Sequence, residues 1–216
     1  MRQEKVHGLV LIASSLVLLV MNVTHPGHLP DTRAALERVG LVAAIAHSLA
    51  ILGVWLALWG LAGLSRFLGL ERPMVVGALI AYALAAAGIT VAAALDGFVT
   101  PQLALQALAA DDATRATLHS LIGFCVLAAS SLTRIYMLLG AAAIAMWSWA
   151  IGAGAYSRGL PVLGALVALI ALGTTFGGPA YISVHVLLLL VLVQSAWMVW
   201  AGMVLLGRDG AANSVV

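Results

Sequence analysis

LHSLIGFCVLAASSLTRIYMLLGAAAIAMWSWAIGAGAY, residues 118–156, contains one charged side chain, Arg134. At 1.5 Å per residue, a continuous helix over these 39 residues reaches about 58 Å, nearly twice the ~30 Å hydrocarbon thickness of a bilayer. The stretch is therefore either two membrane spans joined near Arg134 or one span with an extension. Arginine and lysine in short loops favour the cytoplasmic side, which separates the two readings. One span puts Arg2, Lys5, Arg66, Arg72, Arg158 and Arg208 inside, with Arg33, Arg38 and Arg115 outside. Two spans put Arg2, Lys5, Arg66, Arg72 and Arg134 inside against Arg33, Arg38, Arg115, Arg158 and Arg208 outside. Six against three is a stronger bias than five against five. The sequence thus predicts six spans with both termini cytoplasmic, and seven is the alternative.

The rest of the chain agrees with a membrane reading. Apolar residues make up 63% and charged residues 8%, with a mean hydropathy of +1.12, far from the composition of a soluble globule. The expected fold is an all-α integral membrane protein, an antiparallel bundle of six transmembrane helices forming one domain over residues 1–216. Besides the long stretch, apolar segments cover residues 6–23, 39–64, 74–99, 163–176 and 181–206. Breakers or turns are read at 24–30, 66–73, 100–115, 157–161 and 177–179. Asp111 and Asp112 sit where acids favour a helix start. The first apolar run carries no small-x-small cleavage site and reads as an uncleaved span.

Several classes fall away. A net charge of +2, from singly scattered basic residues, does not suit nucleic acid. One cysteine, Cys125, allows neither an intrachain disulfide nor a thiolate metal site. Nine arginines against one lysine, with abundant alanine, glycine and leucine, suggest a bacterial source and hence a plasma (inner) membrane. The runs Gly140-Ala-Ala-Ala143 and Gly152-Ala-Gly-Ala155 suit close helix packing. Trp55, Trp59, Trp147, Trp149, Trp197 and Trp200 fall mostly towards the inner ends of the spans, as an interfacial belt does.

On the six-span topology, five of the six histidines gather on the outer side. His25 and His28 lie at the outer end of the first span, and His47 about two turns into the second. Asp96 lies near the outer end of the third, His119 on the outer side of the fourth, and His185 about one turn into the last. Ionisable groups within the hydrocarbon are expensive and normally face a bundle interior, a partner or a cavity. Asp96 and Arg134 are the sharpest cases. His119, Ser130 and Arg134 share roughly one helical face, expected to point inward, while Tyr181 and His185, four apart, stack on another.

Imidazoles with a carboxylate are what copper, zinc or iron require. The leading expectation is therefore a histidine-rich transition-metal centre in the outer leaflet, drawing on His25, His47, His119, His185 and Asp96, with redox or hydrolytic chemistry facing the periplasm. Asp96 would act as ligand or base, with Arg134 and Tyr181 as further catalytic candidates. A second expectation is haem b between His47 and His185 or His119, serving electron transfer with quinone. A third is a proton-coupled carrier or a subunit of a membrane complex. A lipid-like molecule or quinone is the expected substrate class, and the bilayer the expected partner. Each residue also has a plainer reading: loop histidines at 25 and 28, hydrogen-bonded structural histidines at 47, 119 and 185, a helix-ending aspartate at 96, and an Arg134 that pairs with it.

Overall fold

A chain this apolar offers its backbone N–H and C=O groups few partners besides one another, and helices satisfy nearly all of them locally. The computed structural model describes residues 3–24, 30, 32–154, 156–176 and 184–207, with backbone alone at 24 and 184–187. Its elements are α1 (Gln3–Thr24), α2 (Arg33–Leu68), α3 (Pro73–Ala94), a π-helical turn (Leu95–Val99), α4 (Thr100–Ala109), α5 (Asp112–Ala153), α6 (Gly159–Phe176) and α7 (Val184–Leu206). Six helices, with α3 to α4 counted as one, are long and apolar enough to cross a membrane. No strand occurs among the described residues.

The deciding stretch is one uninterrupted helix. α5 runs for 42 residues, about 63 Å, and starts at Asp112 rather than Leu118. Its start is set by Asp111, whose carboxylate accepts the Thr114 N–H at 2.8 Å, an N-cap that satisfies an otherwise orphaned donor. That N–H holds the exposed Asp111 carboxyl below its ordinary range.

The breaker expected over 100–115 is real only at Ala110 and Asp111. The helix runs through Pro101 to Ala109. Proline lacks an N–H and cannot bond the preceding turn. The chain absorbs this by widening to a π turn immediately before it, where both the N–H and the hydroxyl of Thr100 close on the Leu95 carbonyl. Asp96 therefore sits inside a continuous helix rather than ending one.

Each long helix packs against its neighbours in the chain, and α7 returns to α1, so the six close a ring in the order α1, α2, α3, α5, α6, α7. One end of the ring carries the short Gly69–Arg72 connection; there Gly69 turns with φ 99°, which glycine adopts without strain. At the other end α2, α4 and α5 outrun α1, α6 and α7 and pack on one another. Arg115 secures this extension. Its guanidinium donates to the Ala107 and Ala110 carbonyls at the end of α4, groups that a helix C-terminus leaves unpaired.

The ring is filled differently along its length. Towards the short-connection end lies an aromatic core of Tyr82, Trp147 and Trp197, all fully buried. The Trp147 and Trp197 rings stack at 6.3 Å. The expected tryptophan belt is thus corrected for two of its six members. The cause is hydrogen bonding: the Trp147 indole donates to Ser65 at 3.0 Å and the Trp197 indole to Ser148 at 2.9 Å, so neither needs water. Trp55, Trp59, Trp149 and Trp200 do face outward. Gly140, Ala141 and Ala143 are buried as expected for a packing run. A close approach that the sequence reading missed joins α1 to α7 at Gly8 and Gly202, where a Cβ on either would strike the other's carbonyl oxygen.

Candidate functional site

His47 on α2 is buried, with both ring nitrogens engaged. Nδ1 lies 2.7 Å from the Ala43 carbonyl oxygen, and Nε2 lies 3.2 Å from Oδ2 of Asp96. A carbonyl can only accept, so Nδ1 carries a hydrogen and donates it. Nε2 then faces a carboxyl oxygen, and a proton shared between them would make the contact a hydrogen bond. With that proton the pair is imidazolium with carboxylate or neutral imidazole with carboxylic acid, and its own two groups sum to no net charge.

Local structure brings these two groups together. The Ala43 carbonyl is four residues back on the same helix, within reach of an i−4 side chain. Asp96 stands in the π turn, an irregularity that often accompanies functional sites and re-aims the side chains it contains. Gly97 supplies the space, because a Cβ there would run into the His47 ring. The Asp96 side chain stays 41% exposed while that of His47 is 8% exposed, so the carboxyl is the less enclosed member of the pair.

The pair borders a cavity of ≈ 160 Å³ walled by α1, α2, α3, α5 and α7. Most of its wall is apolar, including Leu18, Val54, Ile89, Val191 and Met198. Polar groups interrupt it at Asn22, Thr133, Tyr136, Gln194 and Ser195. Some of these hydrogens are spent locally: Asn22 donates to the Leu18 carbonyl at 3.0 Å and Thr133 to that of Ala129 at 2.8 Å. The Tyr136 hydroxyl points to Oε1 of Gln194 at 3.5 Å. Nε2 of Gln194 is buried with no hydrogen-bond partner among the described residues, a condition that costs about 1–3 kcal/mol when nothing fills it. Along α2 the wall runs from His47 to Val54, about 10 Å of helix rise. Further towards the short-connection end lies the buried aromatic core.

The structure thus gathers His47 and Asp96 but not the whole predicted cluster. His119 is exposed on the extension and lines a separate groove with Leu36 and Ile122. About 16 Å of α2 separates Leu36 from His47. Arg134 is partly buried, yet the cavity-facing positions of α5 are Ala129, Thr133 and Tyr136, one step round the helix from the expected face. His185 belongs to the first turn of α7, with its side chain outside the described residues; His25, His28 and Tyr181 lie wholly outside them. No three of His, Cys, Asp and Glu form a metal-binding group among the described residues. His47 and Asp96 could supply two ligands, and further donors would have to come from His25, His28 or His185.

Asn22, Gly97, Thr133, Tyr136 and Gln194 were not anticipated. The signal for Gln194 was present: an uncharged amide within a 23-residue helix of otherwise almost unbroken apolar character belongs inside a bundle rather than against lipid. For Gly97 no signal existed, since its role depends on a ring from another helix.

No protein-family model matches the chain, and neither a curated protein nor a solved structure matches it.

Proposed function

We propose that this protein is a six-span antiparallel transmembrane bundle of a bacterial plasma membrane, with both termini cytoplasmic, and that it works as a proton-coupled carrier. The cavity in its outer half is the binding site, and the His47–Asp96 pair holds the coupled proton. The observation that carries this reading is the position of His47 between two oxygen acceptors at 2.7 and 3.2 Å, which suits a proton shared with a partly exposed carboxyl. An ionisable pair at this depth is costly unless it is partnered, and proton relays are a recognised use of such groups. The filling of the bundle also supports it. Polar groups line the cavity, while Tyr82, Trp147 and Trp197 are fully buried towards the other end, an arrangement that suits one-sided access to a carrier site.

Loss of the proton would leave the pair with a net negative charge in an apolar wall. Uptake is therefore tied to any movement that carries Asp96 away from water. The test is a pH jump on proteoliposomes, read as transient charge displacement. Wild type should displace charge, and Asp96→Asn, which keeps the shape and removes the titrating group, should not. Wild-type vesicles with no displacement, or an equal one in Asp96→Asn, would overturn the reading.

A transition-metal centre at the same pair is the second reading, favoured by one feature. His47 is anchored through Nδ1 with Nε2 turned to a carboxylate, which is how a ligating histidine is commonly held. Stoichiometric copper, zinc or iron in purified protein, lost in His47→Ala, would select it over proton coupling.

A further inference from the structure

We infer that the molecule bound in this cavity is a lipophilic ammonium, an apolar ring carrying a protonated amine that the Asp96 carboxyl receives. The inference deepens the carrier reading and rests on it only in taking the same cavity as the binding site. Among the described residues no arginine or lysine lines the wall, so His47 and Asp96 are the groups that bring charge to it. Both ring nitrogens of His47 are engaged, Nδ1 with the Ala43 carbonyl and Nε2 with Oδ2 of Asp96, and its side chain is 8% exposed. The Asp96 side chain is 41% exposed, and a carboxylate has about four acceptor sites, of which the His47 contact takes one.

The pair offers acceptors in every protonation state. As imidazolium with carboxylate it spends both ring N–H groups on Ala43 and Asp96, and the carboxylate oxygens still accept. As imidazole with carboxylic acid it spends the O–H on Nε2, and the other oxygen accepts. Without the shared proton it carries a single negative charge. In none of these states does an anion find a donor on the pair. Asn22, Thr133 and Tyr136, elsewhere in the wall, already direct hydrogens to oxygen atoms of the protein. An ammonium brings the N–H groups and the positive charge that the wall lacks, and a cation taken out of water is tolerated when a carboxylate pairs with it.

Size and shape agree. An apolar cavity of about 150 Å³ holds a benzene ring, close to the ≈ 160 Å³ found here. The wall extends along α2 about 10 Å from His47 to Val54, which is room for one ring beside an aminomethyl group held at Asp96. Leu18, Val54, Ile89 and Met198 supply hydrocarbon for that ring. A hard metal cation takes several oxygen ligands and gains little from such walls.

The probes are 4-fluorobenzylamine, 4-fluorobenzyl alcohol and 4-fluorobenzoate, one ring with a cationic, a neutral or an anionic group at neutral pH. Binding is read by fluorine NMR on the full-length protein in a nonionic detergent, with protein-free micelles as blank. Wild type should bind the amine at least tenfold more tightly than the alcohol or the benzoate. Asp96→Asn should weaken the amine about tenfold, equivalent to ~1.4 kcal/mol, and leave the alcohol unchanged. The comparison among the three probes is made on wild type alone, so it decides the matter even if the variant fails to fold. Alcohol or benzoate bound by wild type as tightly as the amine, or equal amine affinity in wild type and folded Asp96→Asn, would overturn the inference. The charge-displacement assay contains no amine and reports on the proton independently. Amine selectivity without charge displacement would uphold the ligand class and reject proton coupling, and the converse would reject the ligand class alone.

Discussion

Two residues that carry no charge control the proposed chemistry. Gly97 makes room for the His47 ring, so a methyl there must push the imidazole off Asp96 or force the π turn away from α2. Gly97→Ala should cost about 1–3 kcal/mol, the usual penalty for overpacking a filled site, and should lower the thermal midpoint together with the pH-jump displacement. Gly123→Ala is the control, since nothing lies within 4 Å of its would-be Cβ. It should change neither. The second residue is Ala43, whose carbonyl claims Nδ1 of His47 and so determines that Nε2 meets the carboxyl. Of this arrangement the sequence disclosed the histidine and the aspartate, because both stand out in apolar segments. It could not disclose their union, since that depends on the register between α2 and the π turn.

Among the helices, cohesion comes from packing and from hydrogen bonds between side chains, as apolar surface gains little by leaving lipid for protein. Ser65 on α2 accepts from Trp147 on α5, and Ser148 on α5 accepts from Trp197 on α7, so two hydroxyls tie three helices across the ring. Ser65→Ala should orphan a buried indole N–H and cost about 1–3 kcal/mol in thermal or denaturant unfolding. Ser14→Ala should cost far less, because that hydroxyl only adds a bond to the Leu11 carbonyl of its own helix. Helix placement was largely legible in the sequence: all six long helices overlap the apolar segments read from it. The errors fall where a local rule was overridden. Pro101 reads as a stop but follows a π turn that accommodates it, and Trp147 and Trp197 read as interfacial but find serine partners within the core.

At the scale of the whole molecule, the bundle is asymmetric, with a closed aromatic end and a polar cavity near an extended one. The charge bias in the loops was the only sequence signal for orientation. Six spans require both termini on the same side, so tags placed before Met1 and after Val216 should be protected together in spheroplasts and cleaved together in inverted vesicles. Protection of one and cleavage of the other would contradict six spans. The polar cluster on one side of the chain was legible as a tendency. Its cavity required five helices to be brought together. The central claim is that the His47–Asp96 pair holds one exchangeable proton at the head of this cavity. Its most direct test is a potentiometric titration of purified, folded protein against Asp96→Asn. Wild type should exchange one more proton per chain than the variant, and titrations that coincide would contradict the account.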